Sequence, residues 1–196
     1  IRVYLLLLRI PASSTHSPVA YHSRPVRHGI TLRELARIFR SERQINVELQ
    51  IIPVAQWQRK WFWDRTGLTW INPSPNMRSL NAALLYPGIG LLETTNISVG
   101  RGTDTPFEVL GAPWINEREL AAELNKCNLP GVSFVPIRFT PSSSKHAKLE
   151  CRGVNTVIVD RDQFQPVFTG LAIAHKLQEL YPDHWEPNRM MRLLGN

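Results

Sequence analysis

Residues 91 to 108 read LLETTNISVGRGTDTPFE. This stretch sets three carboxylates, Glu93, Asp104 and Glu108, and one guanidinium, Arg101, among hydroxyls and amides. A carboxylate can move a proton or accept hydrogen bonds, and an arginine can grip another carboxylate through two parallel hydrogen bonds. Asn96, Ser98 and Thr103 offer the donors and acceptors that hydroxyl-rich ligands use. Gly100 and Gly102 allow a sharp turn or a close approach of backbone to ligand. The loop lacks the Lys-Ser or Lys-Thr of a P-loop and the three glycines of a dinucleotide fingerprint. The same residues could also form an Asx- and Ser-rich turn that satisfies only its own backbone. Sequence leaves both uses open.

A second rigid segment is INPSPNM, residues 71 to 77, where two prolines fix φ and would present Ser74 and Asn76 firmly. His28 precedes a capped helix, where it could serve in proton transfer or hydrogen bonding, or be structural. Four tryptophans, Trp57, Trp61, Trp63 and Trp70, fall within 14 residues among Arg59, Lys60 and Arg65. Such faces stack on sugars or bases, although at least two of these rings suit a filling role. The acids that could take part in catalysis are Asp64, Glu93, Asp104 and Glu108. No nucleophile elbow, His-Glu-x-x-His or Cys/His dyad is present, so an enzyme here would work by carboxylates and hydrogen bonds. Cys127 and Cys151 make neither a disulfide framework nor a zinc site, and read as free thiols.

The elements that must position these groups are those of an α/β chain. Its 196 residues are 43% hydrophobic and 20% charged, a globular balance, with lysine and arginine exceeding acids by 23 to 16. That charge favours anionic partners or a plain basic surface. The apolar run VYLLLL, residues 3 to 8, falls short of the roughly 20 residues a membrane span needs. PASSTHSP, residues 11 to 18, reads as a linker. Thr31 and Glu34 form a capping-box signature ahead of helically spaced Leu32, Leu35, Ala36 and Phe39. VELQIIPV (47 to 54) reads as a strand, SLNAALLY as a helix, and GIGLLE as a buried strand ending at Glu93 on the sheet's edge. Asn116 caps a further helix, GVSFVPIRF and NTVIVD read as strands, and VFTGLAIAHKLQELYP as a closing helix. The pattern changes near residue 115, where a domain boundary is expected.

Four segments, in order, resemble the NamZ family of exo-β-N-acetylmuramidases: RHGITLRELA (27 to 36), WINPSPNM (70 to 77), LLYPGIGLLETTNISVGRGTDTPFEVLGAPW (84 to 114) and FTPSSSKHA (139 to 147). The resemblance runs from about residue 24 to the C-terminus. It implies an α/β chain with an unassigned tail over 1–20, the C-terminal half of a Rossmann-like catalytic domain over 21–115, and a smaller auxiliary α/β domain over 116–196. The site would lie in the cleft between the two. The implied activity is a glycoside hydrolase that releases N-acetylmuramic acid from the non-reducing end of peptidoglycan fragments outside the cytoplasm, with no metal or cofactor. Family members carry a Glu-His-Gly motif upstream, whose glutamate is the acid catalyst, and no such motif occurs here. Arg65 stands where an acid is usual, and Thr94 where a glycine is usual.

On this reading Glu93 and His28 are the catalytic candidates, and Arg101 would meet the lactyl carboxylate. Ser74, Asn76, Asn96, Ser98 and Thr103 would bind the acetamido and hydroxyl groups. The alternatives are a non-catalytic peptidoglycan-binding module and, on charge and tryptophans alone, a nucleic-acid binder. Half a sheet would also leave residues 47–54 and 89–93 less protected than the part after 115.

Overall fold

The computed structural model describes residues 29–187 and residue 190. His28 and the tail over 1–20 lie outside the described residues. The elements are α1 (Leu32–Glu42), α2 (Leu80–Ile89), β1 (Val109–Ala112), α3 (Glu117–Lys126), β2 (Val132–Phe139), β3 (Cys151–Ile158) and α4 (Pro166–Leu180). Together they make a mixed helix-and-strand fold with a small antiparallel sheet, β1-β3-β2. Among the described residues no helix is long and apolar enough to cross a membrane.

Helices α1, α2 and α3 each begin where a side chain can take up unpaired amides. In α1 the Thr31 hydroxyl accepts from Glu34 N at 3.2 Å while Thr31 N donates to the Glu34 carboxylate at 2.8 Å. In α3 Asn116 Oδ1 accepts from Arg118 N and Glu119 N. Ser79 caps α2 by accepting from Ala82 N at 2.9 Å. Proline opens α4, where its missing N–H costs nothing.

The sheet is a β2–β3 pair, register Val132 with Ile158 through Phe139 with Cys151, extended on the other side by β1. Helix α3 lies on β2 and β3, α4 packs on α3, and α2 packs on α4. Contact between α2 and α4 is backbone to backbone. A methyl group on Gly88 would run into the Pro166 carbonyl, and one on Gly170 into Gly88. The core this encloses includes Leu85, Ile89, Leu92, Leu110, Leu120, Leu124, Val154, Phe164, Ile173 and Leu177. Since β1 pairs with β3, one sheet draws strands from both sides of residue 115.

Two expected strands are corrected. Residues 47–54 form no strand, because no neighbouring strand meets them among the described residues and Pro53 has no N–H for a ladder. Ile52 and Val54 stand 86% and 77% exposed there. Residues 89–93 are helical: α2 runs on to Ile89, and Gly90–Thr94 continues as a 3₁₀ turn. A short apolar run suits a buried strand or a buried helix equally well by pattern, and packing on α4 decides for the helix. Glu93 therefore leaves a helical turn, not a sheet edge.

Candidate functional site

Glu93 sits in the turn that follows α2, whose apolar residues Leu91 and Leu92 are pinned in the core. From there the chain enters the loop ahead of β1. The loop is fastened to the sheet where Ser98 N donates to Gly111 O at 2.8 Å and Gly111 N donates to Ser98 O at 2.9 Å. Gly100 and Gly102 take positive φ, 79° and 84°, so Arg101 lies on a backbone that bends at both neighbours. Gly102 also lies flush against Ser143, leaving no room for a side chain.

This bend delivers Arg101 Nε to the Glu93 carboxylate as an ion pair, without a well-aligned hydrogen bond at that nitrogen. The two side chains are 35% and 30% exposed, so the pair is screened from one side and open on the other. Beneath it the Arg101 guanidinium lies 5.3 Å from the centre of the Phe107 ring, within cation–π range. Phe107 is buried at φ 67°, a conformation costly for a bulky residue, held by its N–H to Val99 O at 2.8 Å. Strain of this kind persists where the surroundings over-determine it, often at ligand-binding loops.

A second loop, residues 140–149, closes against the first. Ser142 N and Oγ both donate to Gly102 O at 2.8 Å. Lys145 Nζ donates to the Glu93 carbonyl, and His146 Nε2 contacts Asn96 O at 2.8 Å. From the other side Arg78 donates to Thr103 O at 3.3 Å and to Pro75 O at 3.1 Å, drawing the rigid 73–77 turn toward the loop. The result gathers one carboxylate with Arg101 and Lys145, next to a Thr94 hydroxyl that is buried without a hydrogen-bond partner. Such a group can hold an anionic ligand on its cations while its carboxylate receives or orients a proton-bearing group.

The expected binding residues divide. Arg101 and Glu93 meet, as the loop suggested. Asn76, half-buried, keeps a side-chain amide with no hydrogen bond among the described residues, while Ser74 is exposed in a turn closed by Met77 N to Ser74 O. Asn96 is otherwise engaged: its Nδ2 donates to His184 O at 2.7 Å and its Oδ1 accepts from Glu186 N at 3.1 Å. Ser98 is buried and its hydroxyl accepts from Gly100 N, while the Thr103 hydroxyl donates to Gly100 O at 2.7 Å. The Ser98 and Thr103 side chains are thus bonded within their own turn, and Asn96 is bonded to the remote 184–186 segment.

Of the other acids, Asp64 pairs with Arg161 at 2.5 Å, which with its hydrogen bond holds the carboxyl below the usual range. Glu108 accepts from the Ser79 hydroxyl at 2.5 Å and Asp104 stands exposed near Arg78. Sequence reasoning missed Lys145, His146 and Arg78 as site residues. All three act on backbone carbonyls across long separations, and a carbonyl acceptor leaves no residue-type signal; only the Lys-His dipeptide in a Ser-rich loop hinted at them. Among the described residues no group of three or more His, Cys, Asp or Glu could hold a metal ion.

Comparisons with known proteins match this geometry to one family. The model described as exo-beta-N-acetylmuramidase NamZ, C-terminal, matches residues 84–196, and its N-terminal counterpart matches residues 9–81. Peptidoglycan beta-N-acetylmuramidase NamZ of Bacillus subtilis (strain 168) is 44% identical over 162 residues, 83% of this chain and 39% of its own length. The crystal structure of a DUF1343 family protein from Bacteroides fragilis superposes with a TM-score of 0.80 at 30% identity, covering 89% of this chain and 48% of that one. A second DUF1343 family protein from that organism gives 0.58 at 25% identity, covering 86% and 45%. The chain thus spans less than half the length of each relative.

Proposed function

Since this chain belongs to the NamZ family of exo-β-N-acetylmuramidases, we propose that it forms the sugar-recognition part of a glycoside hydrolase that releases N-acetylmuramic acid from peptidoglycan fragments. One observation carries the reading: the Glu93–Arg101 pair, set on a strained Phe107 and flanked by Lys145. N-acetylmuramic acid differs from other amino sugars by its lactyl carboxylate. Arg101 has the fixed fork that meets a carboxylate through two bonds, and Lys145 adds a second positive charge beside it. On arrival of the lactyl group Arg101 turns part of its fork from Glu93 to the ligand. The freed Glu93 carboxylate then faces the sugar's hydroxyl or acetamido N–H. Asn76 is the amide best placed to reach the rest of the ring.

Glycosidases divide their chemistry between two carboxyl groups whose separation sets the stereochemical outcome. Glu93 is the one acid in this cluster, so the acid that protonates the leaving oxygen comes from a part of the catalytic domain beyond the described residues. In this proposal residues 21–115 contribute to a Rossmann-like catalytic domain and 116–196 to an auxiliary domain. The chain alone is then a weak catalyst or none. The test is turnover of a chromogenic N-acetylmuramide by this chain and by a form extended to the length of its relatives. The extended form should turn over and the chain scarcely at all; robust turnover by the chain would place the catalytic acid within it. In the extended form Glu93→Gln should lower turnover by at least about a hundredfold at unchanged melting temperature. A lowered melting temperature with near-normal turnover would make the pair a clasp.

The single carboxylate in the cluster also favours a second reading, a non-catalytic peptidoglycan-binding module. It requires that the chain be retained on cell-wall material, that Arg101→Ala release it, and that the extended form be inactive.

A further inference from the structure

Away from the Glu93–Arg101 loop, an open hollow of about 500 Å³ lies between the start of α3 and the ends of β2 and β3. Its lining includes Trp114, Asn116, Glu117, Arg118, Arg138 and Arg152. Glu117 favours the charge of Arg138, but two other placements are electrostatically poor: Arg152 directly opposite Arg138, and Arg118 at the start of α3. Arg138 and Arg152 are direct cross-strand partners in the β2–β3 pair, so their stems leave the same face of the sheet side by side. Like charges placed opposite each other in this way destabilise a sheet. Arg118 stands in the first turn of α3, where the helix dipole opposes a cation.

The carboxylates present only partly offset this charge. Glu117, nearly buried, takes Arg138 Nε at 2.7 Å; Glu150 takes Arg152 Nε at 3.4 Å and lies 3.9 Å from Arg138. Among the described residues the Arg118 guanidinium has neither an ion pair nor a hydrogen bond. The first amides of α3 are already used by Asn116, so the outward donors of the hollow are guanidinium groups. Positions that break several local rules together, around a cavity of ligand size, are where function is expected to have overridden stability.

We propose that this hollow is a second ligand site, taking the carboxylate or phosphate of a small acidic sugar. The anion bridges Arg118 to the outward N–H groups of Arg152 and Arg138, and Trp114 forms the wall against which the ring lies. Glu117 orients Arg138 from beneath and excludes a second anion. Planar forks that can bind an oxyanion through paired hydrogen bonds explain why arginine stands at all three positions. The site is separate from the muramidase reading, and binding here needs no turnover.

Calorimetric titration of the chain at low ionic strength with glucuronate, glucose 6-phosphate and glucose tests it. At least one acidic sugar should bind saturably and glucose should not. Which acid binds tells carboxylate from phosphate. Arg118→Ala and Arg152→Ala should each weaken that binding by about tenfold or more. Arg118→Ala removes an unpaired cation from the first turn of α3 and should leave the melting temperature level or raise it, while Arg152→Ala gives up the exposed pair with Glu150 and should change it little. The proposal fails if neither acid binds saturably, or if both variants bind within about twofold of the parent. It also fails if both variants lower the melting temperature, which would make the arginines structural.

Discussion

Residues 29–78 and 79–190 are built on opposite terms. Among the described residues no hydrophobic side chain before Ala82 is buried, whereas the later region closes a continuous core from Ala82 to Met190. The earlier region is well formed locally: α1 has a complete capping box, and Trp63 and Trp70 meet edge to face at 6.0 Å. Yet no residue of α1 is fully buried: Leu35, Ala36, Ile38 and Phe39 are half-buried and Leu32 is 85% exposed. Polar ties do most of the fastening described: Arg59 to Glu34 and Gly29 O, Asp64 to Arg161, and Arg78 to Thr103 O, with Met77 packed against the edge of the core. Local signals thus suffice to write a helix, but only packing against other elements gives it stability. The hollow beside α3 and the Glu93–Arg101 pair sit on the region that supplies its own packing, and the earlier region adds Arg78 and the 73–77 turn at the edge of that pair.

The contrast breaks most visibly by truncating one side chain in each region. Leu120→Ala, in the core, should cost about 2–5 kcal/mol, while Ile52→Ala should stay within about 0.5 kcal/mol. Denaturant unfolding of the two variants measures both, and similar costs would contradict the contrast. Next in size is Gly170→Ala. Despite alanine's better helix propensity, the methyl group would force α2 and α4 apart at Gly88 and should cost about 1–3 kcal/mol; a gain in stability would show that the helices are not in close contact. Asn96→Ala removes two hydrogen bonds to the 184–186 segment and should cost about 1–2 kcal/mol, with sugar binding at Arg101 retained. Loss of binding at unchanged stability would return Asn96 to the ligand.

The smallest effect concerns the polar ties. Arg59 and the Thr31 amide bring the Glu34 carboxyl down to about 2, and Arg161 lowers that of Asp64. A carboxyl depressed by folding contributes stability that is complete above its unfolded value and is lost as pH falls through the folded one. The Arg59–Glu34 tie should therefore loosen between about pH 4.5 and 2, and the Arg161–Asp64 tie should weaken on acidification in the same sense. A pH series of NMR spectra that follows the Glu34 carboxyl checks this. Titration at an ordinary glutamate value would mean that the Arg59 tie is not formed in solution.

Much of the architecture was legible where a local rule is sufficient. Thr31 with Glu34 and Asn116 before two acids announced α1 and α3, and the segments GVSFVPIRF and NTVIVD announced β2 and the second half of β3, which begins earlier, at Cys151. What was not legible depends on partners remote in sequence. The run at 89–93 became helical because α4 covers it, and the apolar run at 47–54 meets no strand among the described residues. In the site, Glu93 and Arg101 could be read together because one loop holds both. Lys145 and His146 could not, since they reach that loop across 52 and 50 residues to grip carbonyl oxygens. Asn96 also has partners that the sequence did not announce, main-chain groups of His184 and Glu186.

Amide hydrogen exchange along the whole chain tests the division between the regions most directly. Amides of β3, α3 and α4 should open only with global unfolding, and the turn at 90–94 should share their protection because α4 covers it. Amides over 47–54 should exchange at close to the rate of an unstructured peptide. Protection at 47–54 within about tenfold of that in β3 would contradict the account, because it would require a packed partner for a segment the structure leaves exposed.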